Sequence, residues 1–311
     1  MKETPSVLHY INMAHKRLER LLFGLHNDAD AKNKILEVVK AVTFATNLNP
    51  DIAIASILLN QEVISYAVRH SIDTAVVSIL IAQALNKQPA EVSTIVAAAL
   101  TMNVGMLRQH DQFQRKQDPL TEAEIDLIRK HPEEGVKLLQ QAGITDPDWL
   151  SFVLHHHENE DGSGYPHGKS GKDIPQDAKI ILLADRYCAR VTGRSYRKPL
   201  LPNAALRGLF VDESKAIDAQ LAKYFVKELG MFPPGTYVRL KNGEIGVVTR
   251  KGETATTPTV HALLGPRGAL LTFPIPRETY KESFAIAEAI HRDQAAVRIS
   301  MQQLWGEQAS P

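Results

Sequence analysis

Apolar residues recur at helical spacing through most of this chain. In INMAHKRLERLLFGL they fall on one stripe, at Ile11, Leu18, Leu21 and Leu22, as expected for a helix that buries one face. Similar segments continue to about residue 230, and nothing before that point alternates convincingly with period two. Asn49-Pro50-Asp51 marks one helix start, and Thr121 with Glu124 has the spacing of a capping box. The pattern predicts a mainly α protein.

The pattern changes after residue 230. Val238, Leu240 and the run 245–248 flank Asn242-Gly243, which is the strongest short signal for a β-hairpin. A second hairpin is predicted around residues 265–268. We therefore expect a small C-terminal β-hairpin module, and we expect the tail after Lys281 to be helical and then frayed.

These changes divide the chain into four predicted regions. They are an N-terminal helical region at 1–58, a larger helical domain at 59–230, the β module at 231–280 and a C-terminal tail at 281–311. The role of the N-terminal helices is left open between a sensor and a dimerisation element, so a homodimer is compatible with the sequence.

Composition restricts the class of protein. The formal net charge of +1 gives no general attraction to nucleic acid polymers or anionic lipid. The single cysteine, Cys188, excludes an internal disulfide framework and fits a reducing compartment. No signal peptide is evident at the N-terminus, and we expect the most apolar runs to be too short to span a bilayer. We expect a cytoplasmic protein that binds neither membrane nor nucleic acid polymer.

The densest chemistry lies in HHHENEDGSGYPHG, residues 155–168. Consecutive imidazoles next to carboxylates suggest a site for Fe, Mn or Zn ions. The glycines permit the positive backbone angles of a tight turn, so a purely structural turn is the plain alternative for this stretch.

Several segments in the same order make the chain resemble the HD-GYP family, over roughly residues 60–235. HHENEDGSGYP carries the GYP loop, with Asp161, Gly164, Tyr165 and Pro166. The segments YAVRHS, IRKHPEEGVKLL and AKIILLADRYCARVTGRSYR match other family segments. By family position, the implied metal ligands are His70, His131, His156, His157 and Asp185, and the implied phosphate-binding residues are Arg194 and Arg197.

The resemblance implies an HD-superfamily helical bundle that hydrolyses cyclic di-GMP at a two- or three-metal centre. Two cations would neutralise the phosphodiester, generate hydroxide near neutral pH and stabilise the leaving oxygen. It also implies cyclic di-GMP or a related nucleotide as the ligand, and a diguanylate cyclase or another signalling protein as a partner of the GYP loop.

The His-Asp doublet of the family is missing. In AALTMNVGML, Met102 stands for the histidine, Asn103 for the bridging aspartate and Met106 for a phosphate-binding lysine, while Gly105 keeps the register. An amide oxygen carries no charge and cannot bridge two cations as a carboxylate does, and a thioether is a poor ligand for hard ions. We therefore expect at most one weakly held divalent metal ion, or none.

Three further positions bear on the metal centre. His110-Asp111 is a literal His-Asp dipeptide, but it comes eight residues too late, and we expect a solvated surface pair. Cys188 stands where the family commonly has an aspartate. Tyr66 occupies the place of a glutamate found in trinuclear members, so a third metal is not expected.

These observations leave two main hypotheses. The first is a regulatory or nucleotide-binding protein of cyclic di-GMP signalling, with weak or no phosphodiesterase activity. The second is an active metal-dependent phosphohydrolase with a reduced centre, because a single metal can hydrolyse esters. A structural scaffold whose histidines are relics is a third and less favoured alternative.

Overall fold

The structure is a computed structural model, and it describes residues 4–60, 65–193 and 198–311. Its α-helices are α1 Val7–Phe23, α2 Ala31–Leu48, α3 Pro50–Leu59, α4 Tyr66–Ala84, α5 Pro89–Thr101, α6 Leu107–Arg115, α7 Glu122–Gln141, α8 Pro147–His155, α9 Gln176–Val191, α10 Pro202–Arg207, α11 Ala219–Leu229, α12 Arg292–Ala295 and α13 Met301–Trp305. The β-strands are β1 Tyr237–Leu240, β2 Ile245–Arg250, β3 Thr259–Leu264, β4 Leu270–Glu278 and β5 Ile286–Ala289. The mainly α fold with a small C-terminal sheet confirms the predicted class.

The predicted helix starts are present. The Asn49 side chain accepts hydrogen bonds from the first backbone N–H groups of α3. At α7, the Thr121 hydroxyl accepts from Glu124 N, and the Glu124 carboxylate accepts from Thr121 N. Each arrangement satisfies donors that a helix leaves unpaired in its first turn, so the local sequence fixes where these helices begin.

One hydrophobic core joins the N-terminal helices to the larger helical domain. Helix α4 lies at its centre and is buried on nearly all sides, so it lacks the one-sided stripe of a surface helix. The stretch Pro89–Arg115 is long and apolar enough to cross a bilayer, but 72% of its apolar window is buried within the protein. Core packing therefore accounts for its hydropathy, and the assumption that every apolar stretch is too short does not hold here.

The five strands form one antiparallel sheet in the order β4-β3-β2-β1-β5. The hairpin between β1 and β2 turns at Asn242-Gly243, where Gly243 has a φ of 89°. The second hairpin joins β3 to β4, with Gly268 at a φ of 81°. Both hairpins confirm the sequence prediction.

The C-terminal tail differs from the expected frayed helix. Its β5 adds a strand to the sheet by pairing with β1, because β1 would otherwise leave a row of backbone groups at an open edge. Farther along, Trp305 Nε1 donates to Thr249 O at 2.9 Å, and the Ser6 hydroxyl donates to Ser310 O. The end of the chain is thus packed on the sheet and on α1. The four domain boundaries stay a prediction.

Candidate metal centre and its cavity

Three histidines from two helices meet in the helical core. His131 lies in α7, and His156 and His157 directly follow α8. His131 and His156 are fully buried. One ring nitrogen from each of the three lies within 4.8 Å of the others, so these residues form a group that could hold a metal ion. We call it the three-histidine group.

The hydrogen bonds of this group favour a cation. Nδ1 of His131 faces Ile128 O, and Nδ1 of His156 faces Val153 O at 2.6 Å. A carbonyl only accepts, so each Nδ1 carries the proton and each neutral ring keeps a lone pair on Nε2. The two Nε2 atoms are 3.2 Å apart, close to the spacing of two ligands on one cation with bonds of about 2.1 Å. The residues therefore fit a metal ion.

Burial keeps these rings neutral. Desolvation, followed by the charge of His156, lowers the pKa of His131 to about 3. Desolvation also lowers the pKa values of His156 and His157. Neutral imidazole is the form that binds metal, so the group is ready for a cation at neutral pH.

The other two predicted ligands pair beside this group. His70 Nε2 lies 2.6 Å from Asp185 Oδ1, and both side chains are buried. Burial alone would raise the pKa of Asp185, but the hydrogen bond and charge of His70, with the charges of His157 and His156, lower it below its usual value. Asp185 is therefore an anion that acts electrostatically on both sets of imidazoles.

Met102 and Asn103, which stand in place of the family's His-Asp doublet, lie beside the candidate metal centre, as the sequence match predicts. Met102 is buried in the hydrophobic core, while Asn103 and Met106 line the cavity. Asn103 is 2% exposed, and its Oδ1 has no hydrogen-bond partner among the described residues. Gly105 packs so closely on the His131 carbonyl that a Cβ would collide with it, so this close contact with α7 requires glycine.

The expectation that His110-Asp111 forms a solvated surface pair is wrong. The His110 ring lies 5.7 Å from the His70 ring, and His110 lines the same cavity. Asp111 accepts hydrogen bonds from Ser65 Oγ and Ala67 N, both at 2.9 Å, and so helps to cap α4. The dipeptide itself was a signal for the site, although its position in the sequence argued against it.

The GYP loop covers one side of the centre. Gly164 lies against the backbone of residues 157–159 so closely that a side chain would collide there. Tyr165, joined to Pro166 by a cis peptide, stacks on His157 with ring centroids 4.7 Å apart. Asp161 accepts from Ser163 N at 3.0 Å within the turn. The loop therefore combines a tight turn with a wall of the cavity.

A buried carboxylate that the sequence reasoning missed anchors this loop. Glu158 is fully buried and accepts from His167 N at 2.8 Å and from Lys169 N at 2.9 Å. The acidic residues that follow the histidines are visible in the sequence. The sequence alone does not show whether Glu158 anchors the loop or binds a metal ion.

Cys188 and Tyr66, which stand where the family has carboxylates, lie next to the candidate metal centre. Cys188 is buried, and burial raises the pKa of its thiol well above the usual value. The Tyr66 ring stacks on His70 with centroids 5.6 Å apart. An aromatic ring therefore packs at the position where the family resemblance implies a glutamate in trinuclear members.

The cavity has a volume of about 490 Å³, within the range of small-molecule sites. His70, His157, Tyr165 and Asp185 line it, and so does Lys116. The Lys116 amine also pairs with the Glu124 carboxylate. The predicted phosphate-binding residues Arg194 and Arg197 lie outside the described residues.

A helical bundle that gathers histidines and an aspartate from separate helices defines the HD class of proteins, whose phosphohydrolases depend on metal ions. The HD domain family matches residues 54–221, more than half of the chain. The chain belongs to this family, within its HD-GYP branch.

The relatives agree with this assignment. The chain is 30% identical to the cyclic di-GMP phosphodiesterase PA4108 of Pseudomonas aeruginosa, over 68% of this chain and 51% of the relative. It is 34% identical to the cyclic di-GMP phosphodiesterase response regulator RpfG of Xanthomonas campestris, over 45% and 37%. The chain thus spans about half, or less, of the length of these curated relatives.

A solved structure shares the fold. Bd1817, an HD-GYP-type protein from Bdellovibrio bacteriovorus, superposes with a TM-score of 0.58 at 18% identity, over 70% of this chain and 69% of that chain. At this identity the comparison supports the fold alone.

Proposed function

We propose that this chain is a cyclic di-GMP signalling protein that binds one divalent cation at the three-histidine group and a cyclic dinucleotide in the adjoining cavity. We further propose that its phosphodiesterase activity is strongly reduced. The observation that carries the proposal is Asn103, a neutral amide buried at the cavity wall where the family resemblance places a bridging aspartate.

The charge of the site gives the physical reason. Among the predicted ligands, His131, His156 and His157 contribute no charge when neutral, and Asp185 contributes one negative charge. Two divalent cations a few ångströms apart repel each other strongly in a buried site. With Asn103 in place of an aspartate, one of the expected charges that would offset this repulsion is missing.

The remaining residues still support binding. A bound ion would be held by the three-histidine group and would polarise a phosphoryl oxygen or lower the pKa of a water. Asp185 holds His70 in place through its hydrogen bond. The stacked Tyr165 and His157 present an aromatic surface at the cavity, and nucleic acid bases stack well on such surfaces.

The second candidate is an active phosphodiesterase with a rearranged centre. One observation favours it: His110 lies in the cavity and brings an imidazole that the sequence register did not provide. The relatives named above are cyclic di-GMP phosphodiesterases, which agrees with this alternative. The two candidates share the ligand and differ in turnover.

Two broader parts of the proposal concern location and partners. A cytoplasmic protein fits the single buried thiol of Cys188. The GYP loop also has exposed parts beside the cavity, including Asp161, and a diguanylate cyclase or another signalling protein is the proposed partner of this surface.

Cyclic di-GMP turnover and binding by the full chain test the proposal. We expect micromolar binding by calorimetry and no turnover above a buffer control with added Mn²⁺ or Fe²⁺. Robust hydrolysis that is lost in His156→Ala would favour the second candidate. Absence of binding heat at high micromolar nucleotide, with a folded sample, would contradict the receptor proposal.

A further inference from the structure

Lys116 is the one lysine or arginine among the described residues that line the cavity. The same lining includes two carboxylates, Asp118 and Asp185, and Asp185 is an anion. A phosphate group that enters the cavity would meet these negative charges. Its binding therefore needs a cationic partner, which the chain itself offers at Lys116.

Lys116 lies at the end of α6, where the helix stops and the chain becomes extended. Gln114, in the last turn of the same helix, donates to Gly193 O at 2.8 Å. This end of α6 is thus joined to the residue that directly precedes Arg194 in the sequence. Met106, where the family resemblance implies a phosphate-binding lysine, lines the cavity as well. The chain therefore lacks that amine but carries another on the wall of the same cavity.

The amine of Lys116 pairs with a carboxylate of α7. Its Nζ lies 2.5 Å from Glu124 Oε2, and Glu124 is not among the described residues that line the cavity. The same oxygen accepts from Thr121 N at 2.7 Å and from the Thr121 hydroxyl at 3.0 Å. If the lysine turned away, the carboxylate would keep these two donors, and the capping box of α7 would stay intact.

The ion pair between Lys116 and Glu124 is easily broken. The two side chains are 25% and 26% exposed, so water reaches both charges, and pairs of this kind contribute little to stability. A hydrogen bond between an ammonium group and a phosphate oxygen is one of the stronger kinds. The flexible stem of a lysine also lets its amine change direction while the helix stays in place. Exchange of the carboxylate for a phosphate group is therefore favourable.

We propose that Lys116 binds a phosphate group of the nucleotide in this cavity, and that the entering nucleotide displaces Glu124 as the partner of the amine. The lysine supplies, from the end of α6, the amine that Met106 lacks. Glu124 competes with the nucleotide for the same cation, so it affects affinity as well as the start of α7. This inference rests on the proposed function for the ligand, a cyclic dinucleotide, and adds a residue that recognises its phosphate groups.

Calorimetric titration of the full chain with cyclic di-GMP tests the exchange, through two variants with opposite expected effects. Lys116→Met should weaken binding at least about tenfold, because one charge-assisted hydrogen bond is lost. Glu124→Gln should strengthen binding about twofold to fivefold, because it removes the competing charge. Its amide oxygen still accepts from Thr121 N, so the helix start is kept. Lys116→Arg keeps the cation and should restore most of the affinity.

A purely structural role of the ion pair predicts a different pattern. Substitution of either member would then change the affinity in the same direction, or leave it unchanged. Lys137→Met is the matched control, since Lys137 pairs with Glu134 at 2.7 Å on an exposed part of α7, and it should bind as the wild type does. Added NaCl should weaken binding less in Lys116→Met than in the wild type, because the variant has lost a charged contact.

Two results would overturn the proposal. One is an unchanged affinity in folded Lys116→Met, and the other is an unchanged or weaker affinity in Glu124→Gln. If Lys116→Met does not fold, Glu124→Gln alone decides between the two roles.

If the wild type binds no cyclic di-GMP, the proposed function fails, and the lysine is tested separately. The metal-free chain is then titrated with inorganic pyrophosphate, which has phosphate groups but no nucleoside. Pyrophosphate binding that Lys116→Met weakens supports the phosphate contact on its own. No pyrophosphate binding, or binding that this variant leaves unchanged, rejects it.

Discussion

The phenol ring of Tyr165 stacks on the imidazole of His157, with centroids 4.7 Å apart and planes inclined by 27°. The stack ties the GYP loop to the three-histidine group, so a residue of the loop motif also sets the position of a candidate ligand.

The first prediction follows from this stack. Tyr165→Ala should weaken Co²⁺ binding at the three-histidine group about tenfold, since losing the support of a ligand typically costs 10–100-fold in affinity. Tyr165→Phe keeps the ring and should bind as the wild type does. Calorimetric titration measures both variants, and equal affinity in the alanine variant would show that the stack does not orient His157.

The second prediction concerns the anchor of the GYP loop. Glu158→Gln should lower the free energy of unfolding by about 1–3 kcal/mol, because an amide cannot accept from both His167 N and Lys169 N as well as a carboxylate does. Urea denaturation gives the value. Glu133→Gln, at an exposed carboxylate near His167, should change it by less than about 0.5 kcal/mol.

The third prediction is a pH dependence of stability. The pKa of buried His131 is lowered to about 3 and that of buried His15 to about 4, mainly by desolvation. At these two histidines the unfolded chain therefore binds more protons below about pH 6.5, so their contribution to the free energy of unfolding should fall as pH decreases from there. Buried Asp73, whose pKa desolvation raises to about 7, contributes in the opposite direction. The slope is at most about 1.4 kcal/mol per pH unit for each such histidine.

Substitutions combined with Co²⁺ titration distinguish the contribution of His15 from that of His131. His15→Leu should flatten the pH slope in urea denaturation between pH 7 and pH 5 without changing Co²⁺ binding. His131→Leu should flatten the slope and also reduce Co²⁺ affinity. The lowered pKa of Asp185 affects stability only below about pH 4, outside this window. If neither variant changes the slope, groups other than His15 and His131 cause the pH dependence of stability.

The fourth prediction restores the missing motif. The triple change Met102→His, Asn103→Asp and Met106→Lys should raise metal occupancy and recover part of the phosphodiesterase activity. Recovery should be partial, because Cys188 and other neighbours of the ligands also differ from the family. Met102 is fully buried in the hydrophobic core, so the histidine should also cost about 1–3 kcal/mol of stability. Elemental analysis and a cyclic di-GMP assay test both points.

Asn103→Leu, Met106→Lys serves as the control for that experiment, since it changes two of the same positions without adding a carboxylate or an imidazole. If this control gains as much metal as the triple variant, the loss of the doublet is not what limits occupancy.

Much of the fold could be predicted because its signals are local. The cap at Asn49, the capping box at Thr121 and the turn at Asn242-Gly243 each act within a few residues. Strand β5 was missed for the opposite reason. Its sequence, IAEA, has little strand character of its own, and it forms because β1 offers an edge to pair with.

In the candidate site, too, some features could be predicted from the sequence and one depends on tertiary structure. The structure brings together all five ligands implied by the family register, because each lies on or directly after a helix of the shared core. The position of His110 was misjudged because it depends on tertiary structure. A short 3-10 turn at Val104–Met106 separates α5 from α6, and the direction that α6 takes afterwards brings its histidine back to the cavity.

The hydrogen bond between Ser6 and Ser310 has a consequence for protein engineering. The two ends of the described chain lie side by side, at the first turn of α1. Adjacent ends favour circular permutation, in which a short linker joins them and new ends open in an exposed loop. A permutant of residues 4–311 opened between β3 and β4, near Gly268, would carry its new ends, and any fluorescent tags on them, at the sheet.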